Sequence, residues 1–409
     1  MFDIVLKTAF LSLLRRKVRT ILVIFMITIS LWSLLFMQGI YEGMYQQMVN
    51  NAIKSDSGHL SIYAKGFKQD KSIDLQIRDF KNIENRLKQN SDIKSYIKRV
   101  QSSGLIATAS YSNSVQIYGI DLKEEKIHSQ LDKYIIDGKY SFDEKEIGSK
   151  SRGVIVGFKL AKKLKLKVGK KIILSSQNIN NEISSISLKV AGIIKTSNMQ
   201  IDKMGIFIDI KKRKNFFGID GVSQVSIIFN DRLSIKKYQD NLKKSFPSLE
   251  IFRWDQQYPA LLQAQEMMQQ FSFISYLVVF FVATIGIFGV VLVSVLERKR
   301  EFGILRAIGT KFSIIGSIIF FESFFIGIVG FIFGSVLGGA TLYYFNTYGL
   351  DLTTFSDALD EFGMDTVTYA IIKLEYFIMA FFSVFIAMVL SVLIPLKILK
   401  KLKPTEMIN

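Results

Sequence analysis

Four apolar runs, each long enough to cross a bilayer, constrain this chain more than anything else in it. One lies near the N-terminus, at 20–40; the others, at 271–296, 312–343 and 374–396, crowd the last third. A membrane-spanning helix takes about 20 predominantly apolar residues. Inside hydrocarbon the backbone must satisfy its own hydrogen bonds, so each run is expected as a helix. Between the first two lies a long stretch of mixed polarity. The fold class that follows is a membrane protein: four transmembrane α-helices plus a large α+β extracytoplasmic domain, residues 41–270, inserted between helices 1 and 2.

The first run follows Arg15, Arg16, Lys17 and Arg19, a basic flank that a secretory signal also has. It is longer than such a signal's apolar core, and no small-x-small cleavage pattern closes it, so it reads as a retained span. Residues 1–19 mix apolar positions (Phe2, Val5, Leu6, Phe10, Leu13, Leu14) with basic ones, as an amphipathic helix lying in the interface does. Charge sets the expected orientation. The N-terminal segment, the 297–311 loop (Arg298, Lys299, Arg300, Arg306, Lys311) and the 397–409 tail (Lys397, Lys400, Lys401, Lys403) are basic. The 344–373 connection carries Asp351, Asp357, Asp360, Glu361 and Asp365. The positive-inside rule then puts both termini and the 297–311 loop in the cytoplasm, and 41–270 with 344–373 outside.

Composition excludes several classes. At 49% hydrophobic with the apolar residues gathered into runs, the chain is not patterned like a soluble enzyme. It has no cysteine, so its external domain relies on a buried core rather than disulfides, and about 220 residues suffice for one. The net charge of +18 comes from 53 Lys and Arg against 35 acids, much of it scattered over the external domain. That reads as a solvated lysine-rich surface or as attraction to anionic headgroups. It is not a nucleic-acid footprint.

Within the external domain, His59–Ala64, Ile97–Val100, Gly104–Ala109 and Ser114–Ile120 alternate like strands, and Asp79–Gln89 and Ile235–Ser245 look helical. The block from Gly153 to Leu174 reads as strand, short basic helix, a turn at Gly169, and strand again, with a polar hairpin tip at Asn178–Asn181 before Leu188–Ile194. Gly205–Ile210 and Gln224–Phe229 are further strands, giving an α+β domain of two lobes. No catalytic constellation emerges. His59 and His128 lie in separate segments without metal-ligand spacing, and read as surface or strand residues. There is no phosphate-binding loop of the G-x-x-x-x-G-K-[ST] kind, so the chain does not bind ATP by that route and any nucleotide energy must come from a partner.

The spans offer three further features. Gly330, Gly334 and Gly338 recur every four residues, a spacing that lets helix backbones approach, either within the chain or in a second subunit. Glu322 lies inside the third run, nearer its cytoplasmic end, where a loop Arg or Lys is a more natural partner than a proton relay. Met26, Leu35, Met37, Phe273, Tyr276 and Phe280 are large or flexible apolar residues of the first two spans; they suit a groove for an acyl chain, and equally a lipid-facing surface.

The segment between the second and third runs is the most telling. Glu297, Arg298, Lys299, Arg300 and Glu301 are charged; Phe302, Gly303, Ile304, Leu305, Arg306, Ala307, Ile308 and Gly309 follow. Phe302, Leu305 and Ile308 recur at helical spacing, with Ile304 beside them. A short loop needs only a polar turn. This pattern is that of a helix at the membrane face presenting one side to a soluble partner.

The 297–309 motif and the order of one span, a large domain and three spans resemble ABC-transporter permeases of the MacB/FtsX-like superfamily. Gly39–Met48, Ser57-Gly-His-Leu-Ser-Ile-Tyr63, Val154–Ala161, Val168-Gly169 and Val190–Ile193 followed by Ile201-Asp202 are similar to its lipoprotein-releasing branch, LolC and LolE. The resemblance implies a transport subunit, not an enzyme, of the bacterial inner membrane. It implies no cofactor of its own, ATP and magnesium being bound by a LolD-like ATPase dimer that pushes on the 297–309 helix. It implies a second permease of the same family, a lipoprotein substrate lifted from the outer leaflet, and a LolA-like periplasmic carrier. The stretch matching the family's carrier-binding hairpin is Ser175–Ser187, with Gln177, Asn178, Asn180, Asn181 and Glu182 at its tip. Among rivals, a drug or peptide efflux permease of the MacB type shares the same spans, but that type carries a fused ATPase. An FtsX-type division regulator has a smaller external domain.

Overall fold

The computed structural model describes residues 2–15, 17–146, 148, 152–196, 198–231, 235–356, 358–359 and 364–401. Arg16, Asp357, Asp360, Glu361 and Lys403, used above for orientation, lie outside them. The chain divides into two compact units. One holds Met1–Tyr45, Ala264–Leu352 and Val367–Asn409; the other holds Gln46–Gln263 with Thr353–Thr366.

The first unit is helical. Among the described residues, four helices are long and apolar enough to cross a membrane, and all outrun their apolar cores. The first spans Lys17–Ala52, the second Pro259–Glu297, the third Phe312–Tyr348 and the fourth Leu374–Lys401. Pro259 opens the second helix at a position where its missing N–H has no partner to lose. The glycine stripe of the third helix is filled from within the chain: a Cβ on Gly330 would come within 2.8 Å of Ile27, one on Gly334 within 2.8 Å of Leu31, and one on Gly338 within 2.8 Å of Leu35. Removing those side chains is what lets the first and third helices approach. A strap after the third helix closes over the first. Its Ile371 N–H donates to the Gly39 carbonyl at 3.0 Å, and a Cβ on Gly43 would stand 2.0 Å from the Tyr369 carbonyl oxygen. Lys373 pairs with Glu42 at 2.5 Å. The N-terminal helix Phe2–Arg15 buries Val5 and Ala9 against Ile318 of the third span helix, leaving Phe10 and Leu14 exposed. It is therefore anchored by protein contacts as well as by amphipathic character.

The second unit is the α+β domain. Its strands are β1 (Leu60–Ala64), β2 (Ile93–Ala107), β3 (Ser112–Ile120), β4 (Ile135–Gly138) and β5 (Gly153–Gly157). β6 (Lys171–Gln177), β7 (Ile183–Ile194), β8 (Gly205–Asp209), β9 (Gln224–Phe229) and β10 (Leu249–Arg253) complete it. The order is β10-β1-β9-β2-β3-β8-β5-β7-β4, with β6 pairing β2 and β7. The two stretches 97–100 and 104–109, expected as separate strands, are one 15-residue strand. Its first half pairs β9 and its second half β3 and β6, so β2 is the spine common to both lobes. Central β5 is buried at every position, which explains its continuous apolar run rather than alternation. Helix Phe80–Lys88 starts where Asp79 accepts from the Asn82 N–H and turns Ile83 and Leu87 into the core. Asn51 Nδ2 donates to Asp365 at 3.1 Å, so part of the 344–373 connection packs with this domain rather than with the spans.

Candidate coupling segment and apolar clefts

The charged segment is a helix, Lys299–Ala307, with Arg298 as its N-cap and a turn at Gly309, whose φ is +92°. Glu297 still belongs to the second span helix. The apolar edge does not act as one surface. Phe302 is buried, 1% exposed, and Leu305 packs partly against the same helix-bundle core. Ile304 and Ile308 point away, 48% and 74% exposed. Helical spacing aligned Phe302, Leu305 and Ile308, but the bundle claims the first two. The side that faces away from the bundle carries Ile304, Ile308 and the exposed Arg300 and Glu301.

Arg298 locks this helix to the bundle. Its guanidinium bonds Glu301 at 3.0 Å, covers the Phe302 ring at 4.9 Å, and lies 3.8 Å from Glu322. Glu322 is 2% exposed and accepts from Ser294 Oγ at 2.9 Å. The buried acid of the third helix thus meets the loop arginine expected for it, and the end of the second helix as well. Arg15 and Arg19 reach Glu301 and Glu297 at 4.0 and 3.9 Å, pairs too exposed to contribute much individually.

The six groove residues do not line one groove. Leu35 is fully buried against Gly338, Phe280 packs partly into the bundle core, and Met26 is exposed but lines neither cleft described next. Met37 lines a cleft of about 780 Å³ between the first two span helices, with Met267, Met268 and Phe271 as its apolar wall and Ser30, Ser33 and Ser275 as its polar points. Phe273 and Tyr276 line a second cleft, which also touches the fourth helix. Between the clefts, Ser272 Oγ donates to Gln38 at 2.7 Å. Methionines suit a site that must fit differing apolar chains, because their unbranched side chains adapt.

The hairpin tip is tethered. Asn178 Oδ1 accepts from the Asn180 and Glu182 N–H groups at 2.9 and 3.0 Å. Ile179 donates its N–H to Phe217 and packs under Gly218. Gln177, Asn180, Asn181 and Glu182 remain exposed and Asn178 half-buried.

The two histidines correct the reading of them as separate surface or strand residues. Both are buried, and they line one cavity of about 330 Å³. His128 bonds Ser95 at 2.8 Å and Ser226 at 3.0 Å, while His59 Nδ1 accepts from the Phe229 N–H at 3.0 Å. Beside them is a polar hub with no sequence signal. Buried Arg99 holds Glu125 and the Asp56 carbonyl, and the Tyr258 hydroxyl donates to Asp56 at 2.7 Å.

A model of the MacB-like periplasmic core domain matches residues 20–245, and one of the FtsX-like permease C-terminal domain matches 273–404. Four spanning helices carrying these two domains define an ABC-transporter permease. The chain belongs to the MacB/FtsX-like family of such permeases, which takes in LolC and LolE. It is 23% identical over 292 residues to the lipoprotein-releasing system transmembrane protein LolE of Haemophilus influenzae, covering 69% of this chain and 67% of that one. It is 28% identical over 168 residues to an uncharacterised ABC transporter permease of Methanocaldococcus jannaschii, covering 38% of this chain and 41% of the other. Among solved structures, the periplasmic region of MacB from Actinobacillus actinomycetemcomitans is similar over 51% of this chain and 95% of its own, at 15% identity and a TM-score of 0.35. The extracellular domain of the transporter YknZ from Gram-positive bacteria is similar over 47% and 99%, at 17% identity and a TM-score of 0.32.

Proposed function

We propose that this chain is the permease subunit of a mechanotransmission ABC transporter that extracts lipoproteins from the outer leaflet of the inner membrane and passes them to a periplasmic carrier. A separate cytoplasmic ATPase dimer, binding ATP and magnesium, drives it, and a second permease of the family completes the membrane part. The observation that carries the reading is the coupling segment. Ile304 stands exposed on a short helix and Ile308 just past its end, and Phe302 and the Arg298–Glu322 contact fix that helix to the spans. A push on that helix is therefore delivered to the second and third span helices instead of being absorbed by a loop. The basic flanks assign the helix and both termini to the cytoplasm.

The cleft containing Met37 and Phe271 is assigned to the acyl chains of the cargo. It is mostly apolar and is lined by the first and second span helices. The exposed tip residues Gln177, Asn180, Asn181 and Glu182 are assigned to the carrier. Similarity to LolE over most of the chain favours lipoprotein cargo. The test is depletion of the protein in its host, followed by fractionation of the membranes. Outer-membrane lipoproteins should accumulate in the inner membrane. Unchanged lipoprotein distribution with increased drug or peptide sensitivity would replace this reading with efflux.

A further inference from the structure

The second cleft, bounded by the first, second and fourth span helices, has a volume of about 550 Å³ and is not needed for the cargo reading above. Its chemistry is graded. At one end, around the start of the fourth helix, its lining includes Glu42, Lys373, Glu375 and Tyr376, and two to three turns further along that helix it includes Phe382 and Ile386. Lys373 pairs with Glu42 at 2.5 Å, and the Tyr376 hydroxyl donates to the other Glu42 oxygen at 3.1 Å. Glu375 is exposed in the first turn of the helix.

Depth agrees with a lipid. Glu375 to Ile386 is 11 positions, or about 16 Å at the helical rise of about 1.5 Å per residue. A bilayer's hydrocarbon core is about 30 Å thick, so the cleft runs through one leaflet. That leaflet is the one next to the large domain, because Glu42 lies where the first helix passes from its apolar run toward that domain. Tyrosine at this end is the residue type that sits at headgroup level.

The charges choose among headgroups. The same end has two carboxylates and one ammonium, so it carries an excess negative charge beside a cation. An anionic phosphodiester alone meets net repulsion. A headgroup with both a phosphate and a primary ammonium meets Lys373 with the first and Glu375 with the second, and its ammonium has N–H donors for the carboxylate, which a quaternary amine lacks.

We propose that this cleft is a binding site for an amine-bearing zwitterionic phospholipid, its phosphate on Lys373, its ammonium on Glu375 and an acyl chain along Phe382 and Ile386. The proposal rests on the four spans and is independent of the cargo.

The test is native mass spectrometry of the full-length protein in detergent, titrated with phosphatidylethanolamine, phosphatidylglycerol and phosphatidylcholine of identical acyl chains. Phosphatidylethanolamine should be retained about fivefold more than either of the others, the worth of one partly exposed charge pair. Glu375→Gln should reduce it to the level of phosphatidylcholine, and Glu375→Asp should keep most of the preference. Lys373→Met should weaken both zwitterionic lipids. Circular dichroism of each variant checks that the helices are intact, and Glu375, being exposed, can be changed without disturbing packing. Equal retention of the three lipids, stronger retention of phosphatidylglycerol, or a preference unchanged by Glu375→Gln would each overturn the assignment.

Discussion

The guanidinium of Arg99 lies on the carboxylate of Glu125 with Nε–Oε1 at 2.5 Å and Nη2–Oε2 at 2.9 Å, and both side chains are 2% exposed. Removing one member leaves the other as an uncompensated buried charge, which costs about 3–5 kcal/mol. Arg99→Met and Glu125→Gln are therefore expected to lower the unfolding midpoint of the domain sharply in thermal or denaturant melts. The double variant Arg99→Met/Glu125→Gln should lose much less than the sum. Additive losses would show that the pair is not coupled.

His128 makes the domain acid-sensitive. Burial pushes its pKa well below the ordinary 6.5, and the Arg99 charge and His59 act in the same direction. The folded state holds the ring neutral while the unfolded chain protonates near 6.5, so the unfolded state binds more protons below that pH. The stability from neutral His128 is thus complete above pH 6.5 and is lost as pH falls from there toward the depressed folded value, by at most about 1.4 kcal/mol per pH unit. Melts at pH 7.5 and 5.5 should differ less for His128→Gln than for the natural protein. An identical difference in both would remove His128 as the cause.

The glycine stripe yields a graded packing test. At Gly334 an added methyl meets Leu31 at 2.8 Å, whereas at Gly289 it meets nothing within 4 Å. Gly334→Ala should cost about 1–3 kcal/mol through overpacking. Gly289→Ala should be neutral or stabilising, because alanine is the better helix former. Detergent-solubilised thermal stability reads both.

In the segment proposed to couple to an ATPase, exposed Ile308 and buried Phe302 should separate two kinds of failure. Ile308→Glu is expected to leave the amount and melting point of the permease unchanged while breaking the link between ATP hydrolysis and transport in the reconstituted complex. Phe302→Ala should lower stability itself, by about 3–5 kcal/mol. Normal coupling in Ile308→Glu would remove this segment as the proposed ATPase contact.

Much of the architecture was legible because the bilayer leaves few choices. A run of 20 apolar residues has to be a helix, and a charged, helix-competent segment between two such runs has few reasons to exist. Which side of that segment is buried was not legible. Periodicity aligns Phe302 with Leu305 and Ile308 but does not say where the bundle surface ends. Leu35 and Met37 show the same limit: they are two residues apart and chemically alike, yet one fills the space above Gly338 and the other lines a cleft. Their helix faces differ by about 200°, and only the neighbouring helix decides. The domain interior was hidden by distance along the chain. β1 pairs with β9 and β10, more than 150 residues later, and that pairing is what brings His59 and His128 to one cavity.

Two of the connections between the large domain and the spans are long helices: Lys17–Ala52 leads out, and Pro259–Glu297 leads back. The second has 39 residues, a length of about 58 Å at about 1.5 Å per residue. That is nearly twice a hydrocarbon core of about 30 Å, so part of the helix has to stand outside the apolar layer, and its polar start, with Gln263, Gln265, Glu266, Gln269 and Gln270, is the part composed for water.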